Sequence, residues 1–86
     1  MTVYAVTLAR SARKEIEALP DTVLGRVWTR IEGLADEPRP SGCLKLTGSR
    51  NTWRMRVGDR RILYTIDDDR CVVDVCAVLH RSAAYK

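Results

Sequence analysis

Histidine, cysteine and long apolar runs are the scarce features of this 86-residue chain, and each scarcity closes off a class of chemistry. His80 is the only histidine, and Cys43, Cys71 and Cys76 are odd in number and lack metal-ligand spacing. No zinc site or other metal centre is therefore expected, and reduced thiols at packing positions suit a cytosolic chain. The longest apolar runs, such as Cys76-Ala77-Val78-Leu79, are far too short to cross a bilayer. Met1 leads into an alternating segment with neither a basic n-region nor an apolar h-region, so the expected location is the cytoplasm. Length excludes a doubly wound nucleotide-binding fold, a barrel enzyme and a second domain, and leaves one domain over residues 1–86.

What is present is a folded composition with an uneven charge distribution. Hydrophobic residues at 45% and charged residues at 30% argue against disorder. Residues 1–43 carry six basic and six acidic side chains, whereas residues 44–86 carry nine and five, so the whole +4 lies in the second half. An acidic or nucleic-acid partner is expected there.

Periodicity divides the chain at the same place. Thr2 to Leu8 alternates and reads as a strand, while Ala9, Ala12, Ile16 and Leu19 recur at helical spacing. Pro20 stops that helix, and Asp21 is the expected N-cap of a second, with Leu24, Val27, Trp28, Ile31, Leu34 and Ala35 as its apolar stripe. Pro38, Pro40 and Gly42 end the helical region. From Leu44 the period is two: Leu44–Leu46, Trp53–Val57, Arg60–Ile66 and Cys71–His80 read as strands. The order predicts an α+β fold, with an N-terminal strand and a helical hairpin packed on a mostly antiparallel sheet.

Gly58-Asp59 suits a two-residue hairpin turn, and that turn sets a register. Val57 then pairs with Arg60, Arg56 with Arg61, Met55 with Ile62, Arg54 with Leu63 and Trp53 with Tyr64. Trp53, Met55, Ile62 and Tyr64 face the helices, and Arg54, Arg56 and Arg61 share the other face. A four-residue turn over Asp67–Arg70 pairs Ile66 with Cys71. It puts Val73 and Val75 in the core and Asp74, Cys76, Val78 and His80 on the arginine face. Like charges facing each other destabilise a sheet by about 0.2–1 kcal/mol, so Arg56 opposite Arg61 is no stability device. A solvated charged face is the plain alternative to an anion-binding surface. Arginine suits phosphate because its planar fork binds bidentately and stays charged.

These residues resemble the RelE/ParE superfamily of small bacterial toxins. The resemblance runs through Leu19-Pro20, Pro38-Arg39-Pro40 and Leu44-Lys45-Leu46-Thr47-Gly48. Its most specific stretch is Trp53 to Tyr64 (WRMRVGDRRILY), similar to the family's yRiRvGdyRilY segment, and His80-Arg81 with Tyr85 is similar to its closing hR…Y segment. The resemblance implies a RelE-like fold and a toxin of a type II toxin–antitoxin pair, and the Arg81–Tyr85 spacing by itself suits a short C-terminal helical segment. It implies either a ribosome-dependent, metal-free mRNA endoribonuclease that inhibits translation, or a ParE-like inhibitor of DNA gyrase with no catalysis. The implied partners are an acidic or amphipathic antitoxin segment, the ribosome and mRNA.

Metal-free RNA cleavage needs a base for the 2′-OH, a cation for the charged transition state and an acid for the 5′ leaving oxygen. By resemblance, Arg61 and Arg81 stabilise the phosphate, and Tyr85 orients the nucleotide and assists proton transfer. Arg54 and Arg56 stand where the best-known nuclease members have lysines, and arginine cannot serve as a base. The neutral-pH candidate is then His80 as base or acid, since histidine is the side chain that ordinarily titrates near neutrality. Lys45 is the fallback, and together with Arg54 and Arg56 it is expected to bind RNA. No cofactor is expected.

Overall fold

A computed structural model describes residues 3–46, 48 and 51–82. The elements run β1 (Ala5–Leu8), α1 (Arg10–Glu17), α2 (Asp21–Gly33), β2 (Leu44–Lys45), β3 (Thr52–Val57), β4 (Arg60–Asp67) and β5 (Val72–His80). The five strands form one mixed sheet in the order β1-β5-β4-β3-β2. Only β1 and β5 are parallel, because the chain between them passes through both helices. The α+β architecture predicted from the order of periodicities is present. The expected C-terminal helical segment falls on Arg81–Tyr85, of which residues 83–85 lie outside the described residues, and Arg81 and Ser82 form a turn.

Local sequence explains the helix boundaries. Pro20 lacks the N–H that would continue α1, and it takes φ −59° and ψ 150° as the N-cap of α2. Its carbonyl accepts from Leu24 N at 2.8 Å, the first bond of the helix. Asp21 therefore sits one position inside α2 rather than at its cap, where its carboxylate faces the positive end of the helix dipole. The apolar stripes bury Ala12 and Ile16 from α1, Val27 and Ile31 from α2 and Leu34 at its C-cap against Met55, Ile62, Tyr64, Ile66, Val73, Val75 and Val78. Trp28 departs from the expected stripe: it is 41% exposed, beside Arg13 in a groove between α2 and β1.

The β3–β4 register is the one that the Gly58-Asp59 turn predicts, from Val57↔Arg60 to Trp53↔Tyr64. The β4–β5 register differs twice. Asp67 Oδ1 accepts from Arg70 N at 3.0 Å, and Cys71 takes φ 57°, so the turn covers 68–71 and Ile66 pairs with Val73 instead of Cys71. That slip of two leaves Val73 and Val75 in the core, with Asp74 on the opposite face. The second difference changes faces. A bulge between Leu63 and Tyr64 skips Cys76, so Leu63 pairs with Ala77, Ile62 with Val78 and Arg60 with His80. Val78 and His80 thus lie on the helix side of the sheet, contrary to the expected arginine face.

Side chains of α1 support the bulged strand. Beyond Leu8, β1 no longer covers β5, and Ser11 Oγ donates to Cys76 O at 2.9 Å while Val78 N donates to Glu15 Oε1 at 2.9 Å. Glu15→Ala strands the Val78 N–H and is expected to destabilise the protein by about 1–3 kcal/mol. Thermal unfolding should register this as a fall of about 4–8 °C per kcal/mol, with a smaller loss in Glu15→Gln, which keeps an acceptor.

Candidate functional site

Turn chemistry builds the tip of the β3–β4 hairpin. Gly58 has φ 58° while Asp59 does not enter the left-handed region, the pattern of a type II′ turn with glycine first. A Cβ at Gly58 would lie 3.7 Å from Nη2 of Arg26, so the α2 guanidinium rests over the turn backbone. The end of β5 is tied to the same place, because Arg81 N donates to Asp59 O at 2.7 Å.

These constraints frame a cleft of about 430 Å³, lined by Val23, Arg26, Val57, Asp59, Arg60 and His80 among others. His80 is exposed, and its Nδ1 is held by Ser82 in two ways. Ser82 N donates to Nδ1 at 3.3 Å, and Nδ1 and Ser82 Oγ are 3.0 Å apart. The first contact requires a bare Nδ1 and places the ring proton on Nε2. The second lets Nδ1–H donate to the hydroxyl, which leaves Nε2 bare when the ring is neutral. Ser82 therefore has a partner for Nδ1 in either tautomer, its N–H when Nδ1 is bare and its hydroxyl when Nδ1 carries the proton. Arg60 borders the cleft, and its Nε is buried without a hydrogen-bond partner among the described residues.

The structure separates the residues that the sequence suggested as one site. Arg54, Arg56 and Arg61 share the face away from the helices, with Arg56 opposite Arg61 as expected. Arg61 is only 4% exposed there, and its Nη1 donates to the carbonyls of Gly58 at 3.4 Å and Arg60 at 3.3 Å, bracing the turn from behind. His80 stands on the helix side, and Arg81 is fixed at the turn. Lys45 pairs with Trp53, so it too belongs to the helix side, yet it lies four residues along the sheet from Val57, about 13 Å at ~3.3 Å per residue. Tyr85 lies outside the described residues. Sequence reasoning missed Arg26, Arg60 and Ser82. Arg60 was legible in the hairpin register, since it pairs with Val57 on the face of Met55. Arg26 was not, because only the packing of α2 on β3 brings it to the turn.

No three His, Cys, Asp or Glu side chains converge on a possible metal position among the described residues. Chemically the tip offers one titratable ring beside fixed cations, an arrangement suited to an anionic ester whose proton transfers need no strong base.

Residues 6–85 match the family model described as ParE toxin of type II toxin–antitoxin system, parDE. Toxin RelG of Mycobacterium tuberculosis is 32% identical over 84 residues, covering 96% of this chain and 97% of that protein. The crystal structure of the toxin–antitoxin complex RelBE2 of Mycobacterium tuberculosis contains a chain 32% identical with a TM-score of 0.81, covering 92% of this chain and 99% of that one. A chain of the archaeal RelE–RelB complex of Pyrococcus horikoshii is 27% identical with a TM-score of 0.83, covering 98% and 100%. The family match over residues 6–85, together with 32% identity at near-complete coverage in both directions, makes this chain a member of the RelE/ParE superfamily of type II toxin–antitoxin toxins.

Proposed function

We propose that this toxin is a RelE-like, ribosome-dependent mRNA endoribonuclease that inhibits translation in the cytoplasm and uses no metal or other cofactor. The observation that carries the proposal is the cleft at the hairpin tip, where Nδ1 of His80 is held by Ser82 and Arg26 and Arg60 line the same walls. Cleavage begins when a bare Nε2 of His80 takes the proton of a 2′-OH. The freed oxygen attacks phosphorus, the 2′,3′-cyclic phosphate forms, and the 5′ oxygen leaves with a returned proton. Arg60 and Arg81 meet the charge that builds on the phosphoryl oxygens, and Arg61 holds the turn that positions them. Tyr85 retains its role at the nucleotide, and Arg54, Arg56 and Lys45 contact RNA farther from the scissile bond. The cognate antitoxin is an acidic or amphipathic segment, in keeping with relatives whose structures are complexes with RelB.

A second reading has its own support, since the matching family model is that of the ParE toxin. In that reading the fold is a gyrase inhibitor and the basic tip binds without catalysing. Cell-free translation with the purified toxin, mapping mRNA 3′ ends, separates the two when run beside a gyrase supercoiling assay. Cuts in register with codons in the ribosomal A site are the expected result. Intact mRNA together with blocked supercoiling would sink the nuclease reading.

A further inference from the structure

The basic surface does not stop at the His80 cleft. A second depression of about 660 Å³ adjoins it, sharing Arg26, Val57 and Gly58, and continues to Arg30 and Arg56. A third, of about 310 Å³, shares Arg30 and Arg56 and ends at Arg54. The path exists because β2 pairs with β3 only at Trp53 and Arg54, which leaves the Met55–Val57 edge open toward α2. Across that edge the outer-face Arg54 and Arg56 meet Arg26 and Arg30. The latter two are one helical turn apart, exposed, and without an ion pair among the described residues. Gly25, one residue before Arg26, lines the second depression.

We infer that this track, with Arg26 and Arg30 of α2 as its residues, is a binding groove for the phosphate backbone of a single RNA strand leading into the His80 cleft. The inference rests on the nuclease reading for the identity of that strand. Guanidinium forks on both walls suit successive phosphates. No aromatic ring lines the track among the described residues, so it holds the backbone and leaves base choice to other contacts. Between the arginines the groove is walled by Thr22, Gly25, Thr29, Val57 and Gly58, and Asp21 at the start of α2 is the one acid among the described residues that lines it.

Fluorescence anisotropy with a short single-stranded RNA carrying 2′-O-methyl riboses tests the groove, because that probe binds but lacks the attacking hydroxyl. Salt titration from about 50 to 200 mM yields the number of phosphates contacted, at a slope of about 0.7 each for single strands. The double variant Arg26→Gln/Arg30→Gln is expected to lower the slope by about 1.4, two contacts' worth, with cooperative unfolding retained. Arg10→Gln/Arg13→Gln removes the same charge from exposed α1 positions and is expected to leave the slope unchanged. Equal slopes in the two double variants would overturn the groove, as would a wild-type protein that ignores RNA and binds a polyglutamate peptide or duplex DNA instead. Because the probe is uncleavable, codon-positioned cutting with unaltered slopes overturns the groove alone. Groove-dependent RNA binding with intact mRNA overturns the nuclease alone.

Discussion

His80→Ala is expected to lower mRNA cleavage by about 10²–10⁴-fold, the usual contribution of a positioned acid–base group, while leaving stability nearly unchanged. The stability half follows from exposure: the imidazole stands in the open cleft, and substitutions at such positions usually stay within about 0.5 kcal/mol. The activity half follows from the neighbours. Arginine does not serve as a general base, so none of Arg26, Arg60, Arg61 and Arg81 replaces the ring. Ser82→Ala provides the graded comparison. It removes the hydroxyl that stabilises Nδ1–H but keeps the backbone N–H contact, so cleavage should fall less than in His80→Ala, and substrate affinity should hold. Single-turnover cleavage on programmed ribosomes measures both. Near wild-type cutting by His80→Ala would move the proton transfers to another group, with Tyr85 next in line.

The second large effect concerns stability and is centred on Tyr64. This side chain is 0% exposed, lies between Trp53 on β3 and Val75 on β5, and donates its hydroxyl to Pro38 O at 3.0 Å. Burial pushes the phenol well above its ordinary range, so it remains a neutral donor. Tyr64→Ala is expected to cost about 3–5 kcal/mol through lost contacts and the cavity left behind. That is a large part of the roughly 5–15 kcal/mol by which a native domain is stable. Tyr64→Phe keeps the ring and strands only the buried Pro38 carbonyl, for about 1–3 kcal/mol. Calorimetry should rank wild type above Phe above Ala, and a Phe variant as stable as the wild type would show that the Pro38 contact contributes nothing.

The Tyr64 bond belongs to a wider clamp on the segment between α2 and β2. Arg39 forms a bidentate pair with Asp68 at 2.9 and 3.3 Å and lies 5.1 Å from the Trp53 ring centroid, while Tyr4 donates to Asp68 at 2.7 Å. The Arg39 pairing, aided by Tyr4, holds the Asp68 carboxyl below its ordinary value. Whatever this exposed pair contributes is present above the unfolded-state value and is lost as pH falls through the lower folded-state one. The clamp fixes where the chain enters β2, and with it the third depression of the basic track.

Local rules carried much of the fold and part of the site. The helix boundary at Pro20, the turn at Gly58-Asp59 and the β3–β4 register are decided by residues close together in the chain, and each follows from the sequence alone. So does the concentration of basic charge in the second half, together with the opposition of Arg56 and Arg61. Tertiary structure decided where His80 points. A single skipped residue at Cys76 inverts the inside–outside alternation of the rest of β5, and the groups that satisfy the strand beside the bulge, Ser11 and Glu15 on α1, are distant in the chain. The charge-balanced first half illustrates the same limit. Counted along the chain, Arg26 and Arg30 are offset by acids, but packing of α2 beside the open β3 edge places them with Arg54 and Arg56. Net charge is a property of the sequence, whereas a charged groove depends on which side chains the fold brings within reach of one another.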